Sequence, residues 1–130
     1  MTLSEVLTYM FPGIDFRREC ILRDDGSGPS IVTWTRPEPI PTEAQISAAT
    51  LPAAKQAKLA KVRAEAKSHI YNLYPDWRQQ NVCLGLLDPA YVLTMQQFIS
   101  NTINASNIAE DQVDAATTEA QVNAVTPIWP

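Results

Sequence analysis

The chain has 130 residues, of which 45% are hydrophobic and 18% charged, and its net charge is −4. This length suits one ordinary domain or two small modules. No apolar run approaches the roughly 18–20 residues that a membrane-spanning helix requires. Nucleic-acid binding is disfavoured, because the sequence pI is near 4.8 and the basic residues gather on one Ala-rich helix without interleaved aromatic residues.

Charge is unevenly distributed along the chain. Residues 1–45 hold four Arg against seven acidic residues, and residues 46–80 hold six Lys or Arg against two. Residues 81–130 hold five acidic residues and no Lys or Arg. A basic middle between acidic flanks predicts charge pairing within the chain or between subunits.

Helix starts are marked by short polar residues with the spacing that caps a helix N-terminus. A Thr followed three positions later by Glu or Gln predicts a capping box, and Asp before Pro predicts an N-cap followed by a helix-compatible first residue. These signals occur at Thr2 with Glu5, Thr42 with Gln45, Asp88 with Pro89, and Thr118 with Gln121.

Between the first two helix starts, the sequence predicts a β-hairpin. Residues 19–23 and 30–35 are strand-like, and the turn cluster Asp24-Asp-Gly-Ser-Gly-Pro29 separates them. The following Arg36-Pro-Glu-Pro-Ile-Pro41 is rich in proline, which removes backbone donors and disfavours helix. The sequence therefore predicts a helix–hairpin module at 1–36, a proline-rich linker at 37–41 and a helical module at 42–130.

The helical module is predicted to contain several separate helices. The helix that begins near Thr42 is expected to stop near Leu51-Pro52, because proline cannot donate to the helical hydrogen-bond ladder. A second helix is expected over 53–74, with an apolar stripe of Leu59, Val62, Ala66 and Ile70, and a separate short helix is expected over 108–116. The fold class is α+β, mainly α: a short N-terminal helix and hairpin, then a helical hairpin or bundle.

No residue pattern indicates an enzyme. The one histidine, His69, has no partners at metal-ligand spacing, and Asp24-Asp-Gly-Ser-Gly28 lacks the Lys of a phosphate loop and the full ladder of a calcium loop. Cys20 and Cys83 are expected to be buried free thiols. We expect no catalytic site, no metal and no cofactor.

The aromatic residues offer two interpretations. As local core residues they would stabilise the fold, and as exposed residues they would bind a protein, since Trp, Tyr and Arg dominate interface hot spots. The terminal Trp129 has little neighbouring sequence to pack against, which favours the second interpretation for it. The candidate partner-binding residues are Trp34, Tyr74, Pro75, Trp77, Arg78, Phe98 and Trp129.

Two stretches resemble small proteins encoded in bacteriophage tail regions. Residues 1–42 resemble the XkdW-like proteins through Met10-Phe11-Pro12, Asp24-Asp25-Gly26, Trp34, Pro39, Pro41, Thr42 and Glu43. The remainder resembles the helical half of tail-fibre-associated and tail-fibre assembly proteins through Ile70, Tyr74, Pro75, Trp77, Arg78, Gln79, Asn81, Met95, Phe98, Ile99 and Trp129-Pro130. Arg78 stands where those proteins usually have Lys, and the absence of basic residues after Asn81 departs from their charged helices.

The resemblance implies a non-enzymatic structural or interaction protein of a phage tail, attached to or forming part of the tail fibre or baseplate. The alternative is an assembly chaperone for the tail fibre that is absent from the mature virion. The implied partner is a tail-fibre or baseplate protein, with a homo-oligomer as the other option and no nucleic acid or membrane span. The N-terminus lacks a basic signal-peptide segment, so we expect synthesis in the host cytoplasm and, for a structural protein, location in the virion tail.

Overall fold

A computed structural model describes all 130 residues as a mainly helical α+β protein with one two-stranded sheet, which confirms the predicted fold class. Its elements are α1 (Leu3–Met10), β1 (Cys20–Asp24), β2 (Pro29–Trp34), α2 (Glu43–Leu73), α3 (Asp76–Cys83), α4 (Pro89–Ala115) and α5 (Glu119–Ala124). The chain forms two compact units, Met1–Gln56 and Ala57–Pro130, here called the N-terminal and C-terminal units. None of the helices has the length and apolar character needed to cross a membrane.

Helix α1 begins with the predicted capping box. The Thr2 hydroxyl accepts from the Glu5 backbone N–H at 3.3 Å, and the Glu5 carboxylate accepts from the Thr2 backbone N–H at 2.6 Å. These bonds satisfy N–H groups that have no partner inside the helix. Val6 and Leu7 on its inner face are buried, so α1 supplies part of the core of the N-terminal unit.

The hairpin follows as predicted. β1 pairs antiparallel with β2, and the Asp24 carboxylate accepts from the backbone N–H groups of Gly26 and Gly28 in the turn. Both glycines have positive φ, which residues with a side chain rarely adopt. Cys20 on β1 is a buried free thiol, as expected.

The segment after β2 is held to the hairpin by side chains. Arg36 Nη1 lies 2.8 Å from Glu19 Oε2, and Arg36 Nε lies 3.1 Å from Glu38 Oε2. Trp34 Nε1 donates to the Glu38 carbonyl at 2.7 Å, so the proline-rich residues leave the sheet from a fixed point. The division of the chain into a module at 1–36, a linker at 37–41 and a module at 42–130 stays a prediction.

The predicted end of a helix near Leu51-Pro52 is wrong, because helix α2 continues through both residues. It runs without interruption from Glu43 to Leu73 with Pro52 inside it. Proline removes one hydrogen bond of the ladder, and the Ala-rich sequence on both sides favours helix strongly enough to continue past that local defect.

Within the C-terminal unit, residues 57–73 of α2 lie antiparallel to α4. Arg63 Nη2 contacts Glu110 Oε2 at 2.6 Å near one end, and Tyr74 lies against Phe98 near the other. The buried α2 residues Val62 and Ala66 lie on the stripe predicted from the sequence. The buried residues of α4 are Met95, Thr102, Ser106, Ala109 and Val113.

The separate helix predicted over 108–116 is also wrong, because helix α4 includes most of these residues. Asp88 caps it and Pro89 occupies its first turn, as expected, but it continues to Ala115. The separate helix expected over 108–116 is therefore the last part of α4. Val113 is 0% exposed, and this burial stabilises helical structure beyond the polar residues near 104–107.

The last residues lie along both long helices. α5 is capped by Thr118, which accepts from the Gln121 N–H as predicted, and Val122 is buried. Lys58 Nζ donates to the Asn123 carbonyl at 3.3 Å. Thr126 and Pro127 then line shallow depressions shared with α2 on one side and α4 on the other, so the tail packs against its own unit.

Candidate partner-binding surface

Tyr74 is the centre of an aromatic cluster at the end of α2. Its side chain is only 6% exposed. The ring lies 6.0 Å from Tyr91 in an edge-on arrangement and 5.6 Å from Phe98, which is half-buried. Such aromatic pairs add to the stabilisation from burial alone, so Tyr74 and Phe98 form part of the core of the C-terminal unit.

Pro75 begins the neighbouring helix α3 and fixes the direction in which it leaves α2. Pro75 has an extended conformation at the N-cap position, with φ −63° and ψ 162°. Gln79 Nε2 donates to the Tyr74 carbonyl at 2.7 Å, which ties the first turn of α3 back to the end of α2. The Tyr-Pro-Asp-Trp-Arg-Gln sequence thus encodes a defined change of direction between two helices.

Trp77 makes no ring contact with the aromatic cluster and is 58% exposed. The Arg78 guanidinium lies 5.2 Å from the Trp77 ring centroid, and Arg78 Nη1 donates to the Tyr91 hydroxyl at 3.0 Å. Because Arg78 is bonded to the cluster on one side and contacts the indole on the other, it links the exposed tryptophan to the core. The tryptophan is therefore presented on a supported helix.

Other large apolar side chains around α3 are also exposed. Trp77 lies in the first turn of α3, and Leu84 is the C-cap residue directly after that helix. Isolated exposed apolar residues are ordinary, but a group of them in one short segment is typical of an interaction site. We call this group the Trp77 surface; it comprises Leu73 (50% exposed), Trp77 (58%), Leu84 (70%) and Leu86 (68%).

The three leucines of this surface are absent from the predicted site. The sequence-based prediction rests on aromatic residues and on the resemblance, and neither points to a leucine. The available signal was the sequence Leu84-Gly-Leu86 next to the helix-starting Asp88, since Gly85 has φ +70° and leucines on a tight turn have few core neighbours to pack against. Cys83 beside them is exposed, so its predicted burial is wrong.

The remaining two candidate residues lie apart from this surface. The Trp129 ring is half-buried and 5.1 Å from the His69 ring on α2, whereas its neighbour Ile128 is 89% exposed. Trp34 belongs to the N-terminal unit, is half-buried, and contacts the Phe11 ring edge-on at 5.1 Å. The structure thus brings five of the seven predicted residues together around α3, and their role in binding stays a prediction.

Charge near the other end of the two long helices is paired. Arg63 on α2 donates to the Glu110 carboxylate of α4 through Nε and Nη2, at 3.1 and 2.6 Å. These bonds, together with one from Ser106, lower the pKa of Glu110 below its usual value, against a smaller opposing effect of burial. The predicted pairing of basic and acidic segments therefore occurs within the chain. No group of three or more His, Cys, Asp or Glu side chains converges as metal ligands would.

Comparison with known proteins gives one match. Residues 3–58 match the family model of the XkdW protein. This family is phage-associated, so the match indicates a phage-associated protein over that stretch. The predicted resemblance of residues 1–42 is thereby confirmed, and the match extends into α2. It leaves the Trp77 surface outside. No curated protein and no solved structure matches the chain.

Proposed function

We propose that this protein is a non-enzymatic structural component of a bacteriophage tail that binds a tail-fibre or baseplate protein through the Trp77 surface. The XkdW match supports the phage association. The tail-specific part rests on the resemblance of residues 70–99 and 129–130 to tail-fibre-associated proteins. The observation that carries the binding role is the exposed, supported indole of Trp77 within a group of exposed leucines.

The geometry supports binding by burial of a preorganised apolar patch. Tryptophan at the centre of a desolvated contact is among the strongest contributors to protein–protein affinity. The Arg78 guanidinium, which donates to the Tyr91 hydroxyl, already lies beside the Trp77 ring in the free protein, so less side-chain entropy is lost when a partner covers the ring. The partner surface would be an apolar pocket with a polar rim.

A non-catalytic role is supported by the contacts of three residues whose types often act in catalysis, one histidine and two serines. The one histidine, His69, packs its ring against Trp129. The Ser27 hydroxyl is bound to the Asp25 carboxylate in the hairpin turn, and the Ser106 hydroxyl donates to Glu110 beside Arg63. Each of these polar groups stabilises local structure, which supports the proposal that the chain acts by binding.

The test is mass spectrometry of purified, salt-washed virions, performed beside a pull-down from infected-cell lysate. We expect peptides of this chain in the particles, at a ratio fixed relative to the fibre or baseplate protein. An abundant host cytosolic protein serves as the carry-over control. Recovery only from lysate, bound to unassembled fibre, would instead make the chain an assembly chaperone. Absence from both samples would refute the tail assignment.

A further inference from the structure

The exposed face of helix α4 carries no charged residue over most of its length. Residues 89–109 contain no Lys, Arg, His, Asp or Glu, although the exposed faces of surface helices ordinarily include charged side chains. Leu93 is 56% and Ile108 is 60% exposed, so two large apolar side chains flank a polar, uncharged centre. The residues of this face recur at intervals of three and four positions and are all exposed: Leu93, Gln97, Ser100, Asn104 and Ile108.

A shallow depression of about 110 Å³ lies at one end of this face, between α4 and the C-terminal tail. Its lining is mostly apolar and includes Ala105, Ile108, Ala109, Pro127 and Ile128. Its volume is comparable to the roughly 150 Å³ cavity that the removal of one large aliphatic side chain leaves in a protein core. The depression can therefore accept the end of one aliphatic side chain.

The exposed Leu93 cannot fill the depression of its own chain. It is fifteen positions from Ile108, which is about 22 Å along the helix axis. A second copy of α4, packed antiparallel about a two-fold axis between Ser100 and Asn101, brings Leu93 of each copy beside Ile108 of the other. The same arrangement pairs Gln97 with Asn104 and Ser100 with Asn101.

The residues paired in this way match in chemical character. Leu93 meets an aliphatic side chain, and Gln97 and Asn104 are amides that each have both donors and an acceptor. Ser100 near the centre is small, which allows the two helices to approach closely. A different protein would not require one half of this face to complement the other half, whereas a two-fold contact between identical chains does. The internal match therefore favours a second copy of this chain as the occupant.

Charge beyond the uncharged face favours the antiparallel orientation. Asp111 is exposed and follows the face along α4. A parallel pairing would place the two Asp111 carboxylates side by side, where they would repel. In the antiparallel pairing, Asp111 of one copy lies opposite Ala90 of the other. The two carboxylates are then about 32 Å apart along the axis, well beyond the screening length of roughly 8 Å at physiological ionic strength.

We propose that two copies of this chain form a dimer by antiparallel packing of their α4 helices, with Leu93 of each copy seated in the depression beside Ile108 of the other. Each favourable contact occurs twice, because the interface has two-fold symmetry. One helix face per copy buries less surface than a typical stable dimer, so association is weak and depends on concentration. The dimer goes beyond the proposed tail function and does not depend on it.

Sedimentation velocity of the purified full chain, at concentrations up to about 1 mM, tests for the dimer. We expect a shift from monomer to dimer as concentration rises. Leu93→Glu places a charge in each of the two depressions, so it should weaken dimerisation about a hundredfold or more. Leu86→Glu makes the same change at a more exposed leucine outside α4 and should leave dimerisation unchanged. A monomer at every concentration, an oligomer larger than a dimer, or equal effects of the two variants would overturn the proposal.

Disulfide cross-linking tests the orientation of the two helices. Gln97→Cys and Asn104→Cys chains, each also carrying Cys83→Ser, are mixed in equal amounts and oxidised, with circular dichroism to confirm that they are folded. The remaining Cys20 is buried and does not compete. Antiparallel packing predicts mostly mixed dimers, because position 97 of one copy then faces position 104 of the other within reach of a disulfide. Dimers of each variant with itself, or no more cross-linking than for the exposed control Gln56→Cys, would contradict the proposed packing.

Discussion

Trp77 and Tyr74 show how two aromatic residues three positions apart serve different purposes. Tyr74 is 6% exposed and packs against two other rings, whereas Trp77 is 58% exposed. The turn at Pro75 separates them, because Tyr74 follows the end of α2 whereas Trp77 lies in the next helix, α3. At the scale of the residue, Tyr74 is therefore a core side chain, and Trp77 is a candidate for contact with a partner.

We therefore expect Trp77→Ala to weaken binding to the tail partner by about 2 kcal/mol or more while leaving the fold intact. The measurement is isothermal titration calorimetry with the fibre or baseplate protein, with circular dichroism and thermal unfolding on the same samples. Tyr74→Ala is the contrasting variant. Truncating a buried aromatic residue should reduce the free energy of unfolding by about 3–5 kcal/mol. If Trp77→Ala unfolds the protein as Tyr74→Ala does, Trp77 belongs to the core.

At the scale of the element, α2 shows a helix tolerating a residue that normally ends one. Pro52 lies inside an uninterrupted helix from Glu43 to Leu73. Ala53 and Ala54 directly after it are buried, so the helix gains packing where the ladder is weakened. Most helical stability in proteins comes from packing of this kind and not from intrinsic propensity.

Replacing this proline should stabilise the protein. Proline in a helix interior is about 3 kcal/mol less favourable than alanine, and part of that difference is offset because proline also restricts the unfolded chain. We expect Pro52→Ala to raise the thermal midpoint and the mean helicity. Ala57→Ser, at an exposed position of the same helix, is a control expected to change little. A lower midpoint for Pro52→Ala would show that the proline itself contributes contacts.

At the scale of the whole molecule, contacts between distant segments hold the C-terminal unit together. Arg63 and Glu110 join α2 to α4, and Lys58 joins α2 to the end of α5. Each link connects a basic residue in the middle of the sequence to the acidic last third. The Arg63–Glu110 ion pair thus neutralises part of the uneven charge along the chain on folding.

The Arg63–Glu110 pair predicts a dependence of stability on pH. The pKa of Glu110 is lowered from its ordinary value of 4.5, chiefly by the hydrogen bond from Arg63. A depressed pKa in the folded state stabilises the fold above the unfolded-state pKa, and the contribution is lost as pH falls through the folded-state pKa. Denaturant unfolding at several pH values should show wild type more stable than Glu110→Gln at pH 7, with the difference shrinking below about pH 4.5.

Glu65→Gln is the control for this prediction. Glu65 pairs with Lys61 on the same helix at 3.9 Å, and both side chains are substantially exposed. Exposed pairs of this kind contribute little, so Glu65→Gln should lie close to wild type throughout. A constant difference between wild type and Glu110→Gln at all pH values would show that shape, and not ionisation, explains the effect of residue 110.

The local features of this protein were determined by its sequence alone. The caps at Thr2, Asp88 and Thr118 and the hairpin turn at Asp24 all occur as predicted. Each depends on hydrogen bonds between groups within a few positions of one another, so a short stretch of sequence contains all the partners. The resemblance of residues 1–42 to XkdW likewise depends on short motifs, and it is confirmed by the family match over residues 3–58 that includes nearly all of them.

Only the tertiary structure decided the helix lengths and which side chains are exposed. The continuation of α2 past Pro52, the extension of α4 to Ala115, and the exposure of Trp77 and Cys83 all differ from or go beyond the local pattern. The physical reason is that burial depends on residues far apart in the chain. Packing energy between such residues outweighs the propensity of any short segment, and it leaves exposed the side chains that meet no distant partner.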